Sequence, residues 1–296
     1  MKQFRVVAET DRNYPMGLTI DGKRIHVSVK WPGSACSLVL MEEQGETAVF
    51  EMAPELRQGD VWNLTLETDR QIKGCFVYGF QTEQGWLPDP YGKVFRGREI
   101  WGAETGFKRK LETVAGQTVF EWGEDKRPQI PYEDCVIYKA HVRGFTKHPS
   151  SHVRDRGTFR AVMEKIPYMK ELGVTTLELM PVTEFNEVRE ETEVRMVKLP
   201  VDNQPPKLNY WGYGDSFLFA PKASYSSGRR KHPDTELKTL VRELHKNNME
   251  LILELYVSGK EDPSMVLDAV RYWAREYHID GIHLVGDAPL KLIGQD

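Results

Sequence analysis

Short stretches of alternating apolar and polar residues fill the first third of the chain. The clearest covers residues 25–31 and stops at Pro32-Gly33, and residues 60–66 alternate in the same way. Alternation places successive side chains on opposite faces of a strand, and glycine or proline ends the strand. Further strands are predicted at 37–41 and 74–80. Short strands at this spacing predict a β-sandwich over residues 1–115.

From about residue 135 the spacing of the apolar residues changes, and strands alternate with helices. Strands are predicted at 136–138, 174–180, 251–255 and 281–285, and helices at 158–172, 234–247 and 263–278. Thr158 and Asp234 are expected as N-caps, and Pro167 predicts a kink or a shifted helix start. This alternation predicts parallel βαβ units over residues 135–296, and residues 116–134 are the predicted linker.

Composition excludes several classes of protein. A chain of 296 residues with 40% hydrophobic and 28% charged residues is typical of a soluble globular protein. The net charge of −4 argues against a nucleic-acid partner. No run of about 18 apolar residues occurs, so no membrane span is expected. Three widely spaced cysteines, Cys36, Cys75 and Cys135, favour a reducing, cytoplasmic location, and neither a cofactor nor a metal is expected.

Three segments resemble α-glucan debranching enzymes. Residues 137–146 read IYKAHVRGFT, and the first barrel strand of these enzymes reads IYEMHVRGFT. Residues 164–185 resemble their first helix and second strand, and residues 209–213, NYWGY, resemble the loop that lines their sugar cleft. The chain is therefore similar to the pullulanase, isoamylase and glycogen-debranching branch of glycoside hydrolase family 13, in the α-amylase superfamily.

The resemblance implies a multidomain fold of the β plus α/β class. The β-rich part, through Trp62 and Trp86, resembles carbohydrate-binding module family 48. The implied architecture is an N-terminal β-sandwich over 1–115, followed over 135–296 by the first four βα units of a TIM-type (β/α)8 barrel. The remaining barrel units are expected to follow Asp296 in the natural polypeptide.

The segments that hold the family's catalytic groups depart from its pattern. The family's fourth strand reads VDGFRFD and ends in the nucleophile, whereas residues 279–285 read IDGIHLV. His283 therefore replaces the arginine and Val285 replaces the nucleophile, and valine cannot form a glycosyl ester. The third-strand motif DVVYNH becomes ELYVSG at 254–259, and the long excursion that follows it in the family is missing. The resemblance thus predicts a catalytically degenerate protein.

Aromatic side chains are the candidates for sugar binding. Indole and phenol rings cover the apolar faces of pyranoses at low entropic cost. The candidates are Trp62 and Trp86 in the β-rich part and His141, Tyr210, Trp211 and Tyr213 in the barrel segment. Each could instead be structural: Trp62 and His141 could pack in a core, and Trp211 could anchor its loop.

Three functions remain open. The first is binding of an α-glucan (glycogen, pullulan or a maltooligosaccharide) without cleavage. The second is an active glycosidase with a displaced carboxylate pair, Asp287 with Glu254 or Glu178. Asp287 would then need a bulge, because two residues along a strand span about 6.5–7 Å. The third is a protein-interaction module, since a partner or the missing barrel half must cover the open edge of a half-barrel.

Overall fold

The computed structural model describes residues 4–7, 15–41, 46–103, 111–116, 119–188, 208–228 and 232–295. The chain divides into two compact units. The first comprises Met1–Gly97 and Lys110–Glu121, and the second comprises Arg98–Arg109 and Trp122–Asp296. Part of the predicted linker, from Trp122 onward, therefore lies in the second unit.

The first unit contains two antiparallel sheets. One has the order β1-β6-β3-β2, with strands at Phe4–Val7 (β1), Gly17–Asp21 (β2), Arg24–Lys30 (β3) and Val61–Thr68 (β6). The other has the order β5-β4-β7-β10-β9, with β8 beside β7. Its strands are Cys36–Met41 (β4), Thr47–Glu51 (β5), Phe76–Thr82 (β7), Gly85–Leu87 (β8), Phe95–Arg96 (β9) and Glu112–Ala115 (β10).

Alternate residues of both sheets meet in one core. Ile25 of β3 and Leu38 of β4 are fully buried in it, as the alternating pattern predicts. Trp62 belongs to the same core with 1% of its surface exposed, and its indole N–H donates to the Trp31 carbonyl at 2.9 Å. Sugar binding by Trp62 remains untested, and in this structure the core covers its ring.

The second unit is built on a parallel sheet. Its strands, in spatial order, are Ile137–Ala140 (β11), Thr176–Leu179 (β12), Glu250–Val257 (β15) and Gly281–Gly286 (β16). Thr183–Phe185 (β13) and Ser216–Pro221 (β14) form a separate antiparallel pair. The helices are Val142–Lys147 (α1), Phe159–Met163 (α2), Ile166–Glu171 (α3), Pro233–Lys246 (α4), Pro263–Glu276 (α5) and Leu290–Ile293 (α6). None of the helices described is long and apolar enough to span a membrane.

Proline decides where several helices begin. The single helix expected at 158–172 is two helices, because Pro167 has no N–H to donate and lies in the first turn of α3, which begins at Ile166. Thr158 caps α2 as predicted, accepting from the Ala161 N–H. Asp234 is not the cap of α4. Pro233 opens that helix, so His232 is the N-cap and Asp234 lies in the first turn.

The two faces of the parallel sheet differ in chemistry. Leu251 and Leu253 of β15 are buried in a core that also contains Leu237 and Leu240 of α4. The residues between them point to the opposite face, because side chains alternate along a strand. Glu254 lies on that opposite face and is buried there, and this face is where the candidate site forms.

Candidate functional site

Four charged or polar side chains converge on this face of the parallel sheet. The register pairs Lys139 with Glu178, and Glu254 with His283. The Lys139 Nζ lies 3.1 Å from Glu178 Oε1 and 2.6 Å from Glu254 Oε2. His283 Nδ1 lies 2.8 Å from Glu178 Oε1. We call these four residues the charged cluster.

The charged cluster holds Glu178 in its ionised form. Burial opposes ionisation, but hydrogen bonds from His283 and Lys139 outweigh it and lower the pKa of Glu178. Burial likewise opposes the charge on Lys139, yet the two glutamates raise its pKa. A general acid needs a pKa near the working pH. Glu178 is therefore poorly suited to donate a proton to a leaving group.

The position of the family's nucleophile is apolar in this chain. Val285 pairs with Tyr256 near the end of β16, and the register continues without a shift to Val257 and Gly286. The Asp287 N–H then donates to the Val257 carbonyl at 2.9 Å. No bulge draws Asp287 back along this stretch, so its carboxylate stays beyond the level of Val285.

Asp287 instead packs against Gly259. Gly259 has a φ of +86°, and a Cβ there would lie 2.7 Å from the Asp287 Oδ2. By the resemblance, the family has a histidine at this position. A side chain at position 259 would therefore require Asp287 to move.

The connection from β15 to α5 is short and hydrogen-bonded to itself. Only residues 258–262 separate the two elements. The Glu261 carboxylate accepts from the backbone N–H groups of Ser258 and Gly259 and from the Ser258 hydroxyl. Asp262 then caps α5 by accepting from the Ser264 N–H at 3.0 Å. The excursion that forms one wall of the cleft in the resembling enzymes has no counterpart between these two elements.

An aromatic cluster lies at the carboxyl end of β11. Its members are Trp101, His141, Tyr210, Trp211 and Tyr225. The His141 ring stacks on Tyr210 with centroids 4.6 Å apart, and Trp211 meets His141 edge-on at 5.6 Å. Trp101 stacks on Tyr225 at 5.7 Å. Trp211 is 51% exposed, so its indole is available to a ligand.

Both nitrogens of His141 are used within the chain. Nδ1 accepts from the Gly144 N–H at 2.9 Å, so Nε2 carries the hydrogen and donates to the Tyr225 hydroxyl at 2.9 Å. Burial, together with the Arg143 charge, outweighs a hydrogen bond with the Tyr210 backbone and lowers the pKa of His141 to about 4. The imidazole is therefore neutral near pH 7 and holds the rings of Tyr210 and Tyr225 in place.

A buried ion network supports the aromatic cluster. The fully buried Lys222 Nζ lies 3.2 Å from Glu184 Oε1, 2.7 Å from Glu187 Oε2 and 2.8 Å from the Phe185 carbonyl. Glu187 Oε1 accepts from the Gly102 N–H at 3.0 Å. The network thus fixes the backbone next to Trp101, whose ring lies 5.6 Å from the Lys222 ammonium.

The remaining sugar-binding candidates occupy other places. Tyr213 lies 5.7 Å from Tyr256, centroid to centroid, and burial, followed by the Glu254 carboxylate, raises the pKa of Tyr213 to about 12. Trp86 lies in the first unit, where its indole N–H donates to the Leu111 carbonyl at 2.8 Å. Its ring covers Gly79, at which a Cβ would lie 2.2 Å from Trp86 Cζ2.

Sequence reasoning did not place Trp101, Tyr225 or Lys139 in these clusters. Trp101 and Tyr225 are distant in sequence from His141, and only the fold brings them together. Lys139 did carry a signal, because it replaces the glutamate of the family segment IYEMH. A change of charge inside a matched motif indicates that the ion pairs around it differ. In the structure, Lys139 forms ion pairs with Glu178 and Glu254.

Comparison with known proteins identifies the relatives of this chain. No protein-family model matches it. Isoamylase 3 of rice is 29% identical over 290 residues, which cover 76% of this chain and 36% of that protein. The GlgX homolog of Mycobacterium bovis, a glycogen operon protein, is 27% identical and matches 90% of this chain and 46% of that protein. The chain thus spans less than half the length of these curated relatives.

Solved structures show the same fold. A pullulanase from Paenibacillus barengoltzii, in complex with maltohexaose and α-cyclodextrin, superposes with a TM-score of 0.71 at 21% identity, over 93% of this chain and 49% of that one. The catalytic module of the pneumococcal glycogen-degrading protein SpuA has a TM-score of 0.70 at 19% identity, over 97% and 48%. The curated relatives thus include isoamylases and GlgX homologs, and a pullulanase is among the structural neighbours.

Proposed function

We propose that this chain binds α-glucan and does not cleave it by the retaining mechanism of its homologues. The second unit is then the first four βα units of a TIM-type barrel, and the aromatic cluster lies at the carboxyl ends of its strands. Binding sites of such barrels assemble at that end. Two of the structural neighbours, both pullulanases, were crystallised with maltohexaose and α-cyclodextrin or with maltose, which supports glucan as the ligand.

The exposed indole of Trp211 carries the proposal. It is 51% exposed, yet it meets Tyr210 edge-on at 5.0 Å and His141 at 5.6 Å. A ring held by two others loses little conformational entropy when a pyranose stacks on it. An exposed indole that neighbouring rings hold in one orientation is suited to stacking on the apolar face of a pyranose.

The side chains at the carboxyl ends of the parallel strands are the basis for proposing that the chain does not cleave glucan. A retaining glycosidase needs two carboxyls about 5–5.5 Å apart, one as nucleophile and one as acid/base. Val285 occupies the nucleophile position, Asp287 lies beyond it against Gly259, and Glu178 has a lowered pKa. Glu254 and Glu178 are engaged by Lys139, so the displaced pair is the weaker proposal.

Titration of maltohexaose into the purified chain tests the binding. We expect Trp211→Ala to weaken binding about tenfold or more, which corresponds to about 1.4 kcal/mol. Tyr132→Ala is the matched control, because Tyr132 is an aromatic residue with 89% exposure that precedes the amino end of β11, whereas the aromatic cluster lies at its carboxyl end. Equal binding by the two variants would contradict the proposal. No binding at millimolar sugar would favour the protein-interaction module instead.

A further inference from the structure

The charged cluster contains the ligand types of a metal site. Glu178, Glu254 and His283 each offer one nitrogen or oxygen atom, and these atoms all lie within 4.8 Å of one another. We propose that these three side chains bind a divalent transition-metal ion, and that the Lys139 ammonium occupies the place of the metal in its absence. This inference goes beyond glucan binding and does not depend on it.

The backbone holds the three ligands in place. Each lies on a different strand of the parallel sheet, β12, β15 or β16, and the register sets Glu254 directly beside His283. Ligand atoms lie about 2.0–2.2 Å from a bound zinc ion, so neighbouring ligand atoms are about 3–4 Å apart. His283 Nδ1 and Glu178 Oε1 are already 2.8 Å apart. Small side-chain rotations therefore suffice to surround an ion.

Glu254 indicates that the cluster is built for a cation. It is 1% exposed, and its carboxylate faces the Lys139 ammonium and the Tyr213 hydroxyl. A buried carboxylate needs a compensating charge, and here the Lys139 ammonium at 2.6 Å supplies it. The Lys139 side chain is 41% exposed, so it can swing into solvent and give up its place to a metal ion.

The ligand set favours a transition metal over calcium or magnesium. One imidazole and two carboxylates suit Zn²⁺ or Mn²⁺, whereas Ca²⁺ and Mg²⁺ prefer all-oxygen sites. The His283 side chain is 50% exposed, which leaves room for water as a further ligand. In the resembling enzymes this position is an arginine, which has no lone pair to offer a metal. The site is therefore a consequence of His283 in this chain.

Calorimetric titration of the metal-stripped chain with Zn²⁺, Mn²⁺ and Ca²⁺ tests the proposal. We expect a single Zn²⁺ site that Glu254→Gln and His283→Gln each weaken about tenfold or more. Lys139→Met removes the competing ammonium and is expected to tighten Zn²⁺ binding. Glu171→Gln changes an exposed carboxylate on α3 and is expected to have no effect.

Each result decides the proposal. Absence of Zn²⁺ binding at millimolar concentration overturns it, as does affinity that neither Glu254→Gln nor His283→Gln reduces. Unchanged or weaker binding in Lys139→Met overturns the role of the ammonium as the stand-in. Circular dichroism verifies that the variants fold. If Glu254→Gln does not fold, His283→Gln remains decisive, because that side chain is half exposed and its loss leaves the core intact.

Discussion

The Asp287 carboxylate lies against the Cα of Gly259, so close that a Cβ on Gly259 would be 2.7 Å from Asp287 Oδ2. The two residues close the carboxyl ends of β15 and β16, where the homologous motif has a histidine. The N–H of Asp287 also donates to the Val257 carbonyl. The contact and the hydrogen bond together position the chain as it leaves β16.

Gly259→Ala tests that contact. A positive φ costs a non-glycine residue about 1–2 kcal/mol, and the clash with Asp287 adds to this cost. Gly173→Ala is the matched control, because Gly173 has a φ of +77° with nothing within 4 Å of a Cβ. We expect urea unfolding to show a larger loss of stability for Gly259→Ala. Equal losses would mean that Asp287 yields without cost.

Lys222→Met tests the buried ion network. The substitution removes the Lys222 ammonium from Glu184 and Glu187 and leaves only Arg98, 4.0 Å from Glu184 Oε1. Breaking a buried pair in this way costs about 3–5 kcal/mol. Lys246→Met is the control, since its pair with Glu243 is at the surface and is expected to contribute less than about 1 kcal/mol. Denaturant unfolding measures both. A loss for Lys222→Met no larger than that of the control would refute the structural role of the network.

His141 makes stability depend on pH. Its pKa is about 4 in the folded chain and about 6.5 when unfolded, so the unfolded chain takes up a proton first as the pH falls. Stability is therefore lost between about pH 6.5 and 4, by up to about 3 kcal/mol. We expect His141→Asn to show a smaller loss over this range. Parallel pH profiles for the two proteins would contradict the neutral, buried imidazole.

His245 is expected to act in the opposite direction. It lies 2.9 Å from Asp125 and 3.1 Å from Asp280. Burial lowers its pKa, but the two aspartates outweigh burial and raise it overall. Its contribution to stability is complete at low pH and is lost as the pH rises through the folded-state pKa. The advantage of the unaltered chain over His245→Asn should shrink as the pH rises through neutrality, and an advantage that grows instead would contradict this assignment.

Much of the fold could be predicted because its signals are local. Alternation predicted β3 and β6 almost to the residue, and Thr158 marked the start of α2. Asp234 failed as a cap because Pro233 competes for the first helical position. The domain bounds drawn from the sequence, 1–115 and 135–296 with a linker between them, remain a prediction. The composition of the linker did not indicate that Trp122 stacks on His278.

The candidate site was predicted only in part, because its geometry depends on tertiary contacts. Glu178, Glu254 and His283 were each identified in sequence, but only the parallel register shows that Lys139 joins them. Alternation along a strand does not show which of its two faces meets solvent. The second sheet packs on the face that carries Trp62 and buries this side chain. Sequence motifs identified the candidate residues, whereas packing determines which of them lie together.

The most direct test combines binding and hydrolysis in one preparation. Maltohexaose is titrated into the unaltered chain, Trp211→Ala and Tyr132→Ala, and reducing ends released from pullulan are assayed alongside with Asp287→Ala. We expect binding that only Trp211→Ala reduces, and no reducing ends at any enzyme concentration tested. Reducing ends that appear with the unaltered chain and vanish in Asp287→Ala would contradict binding without cleavage and establish a displaced catalytic carboxylate.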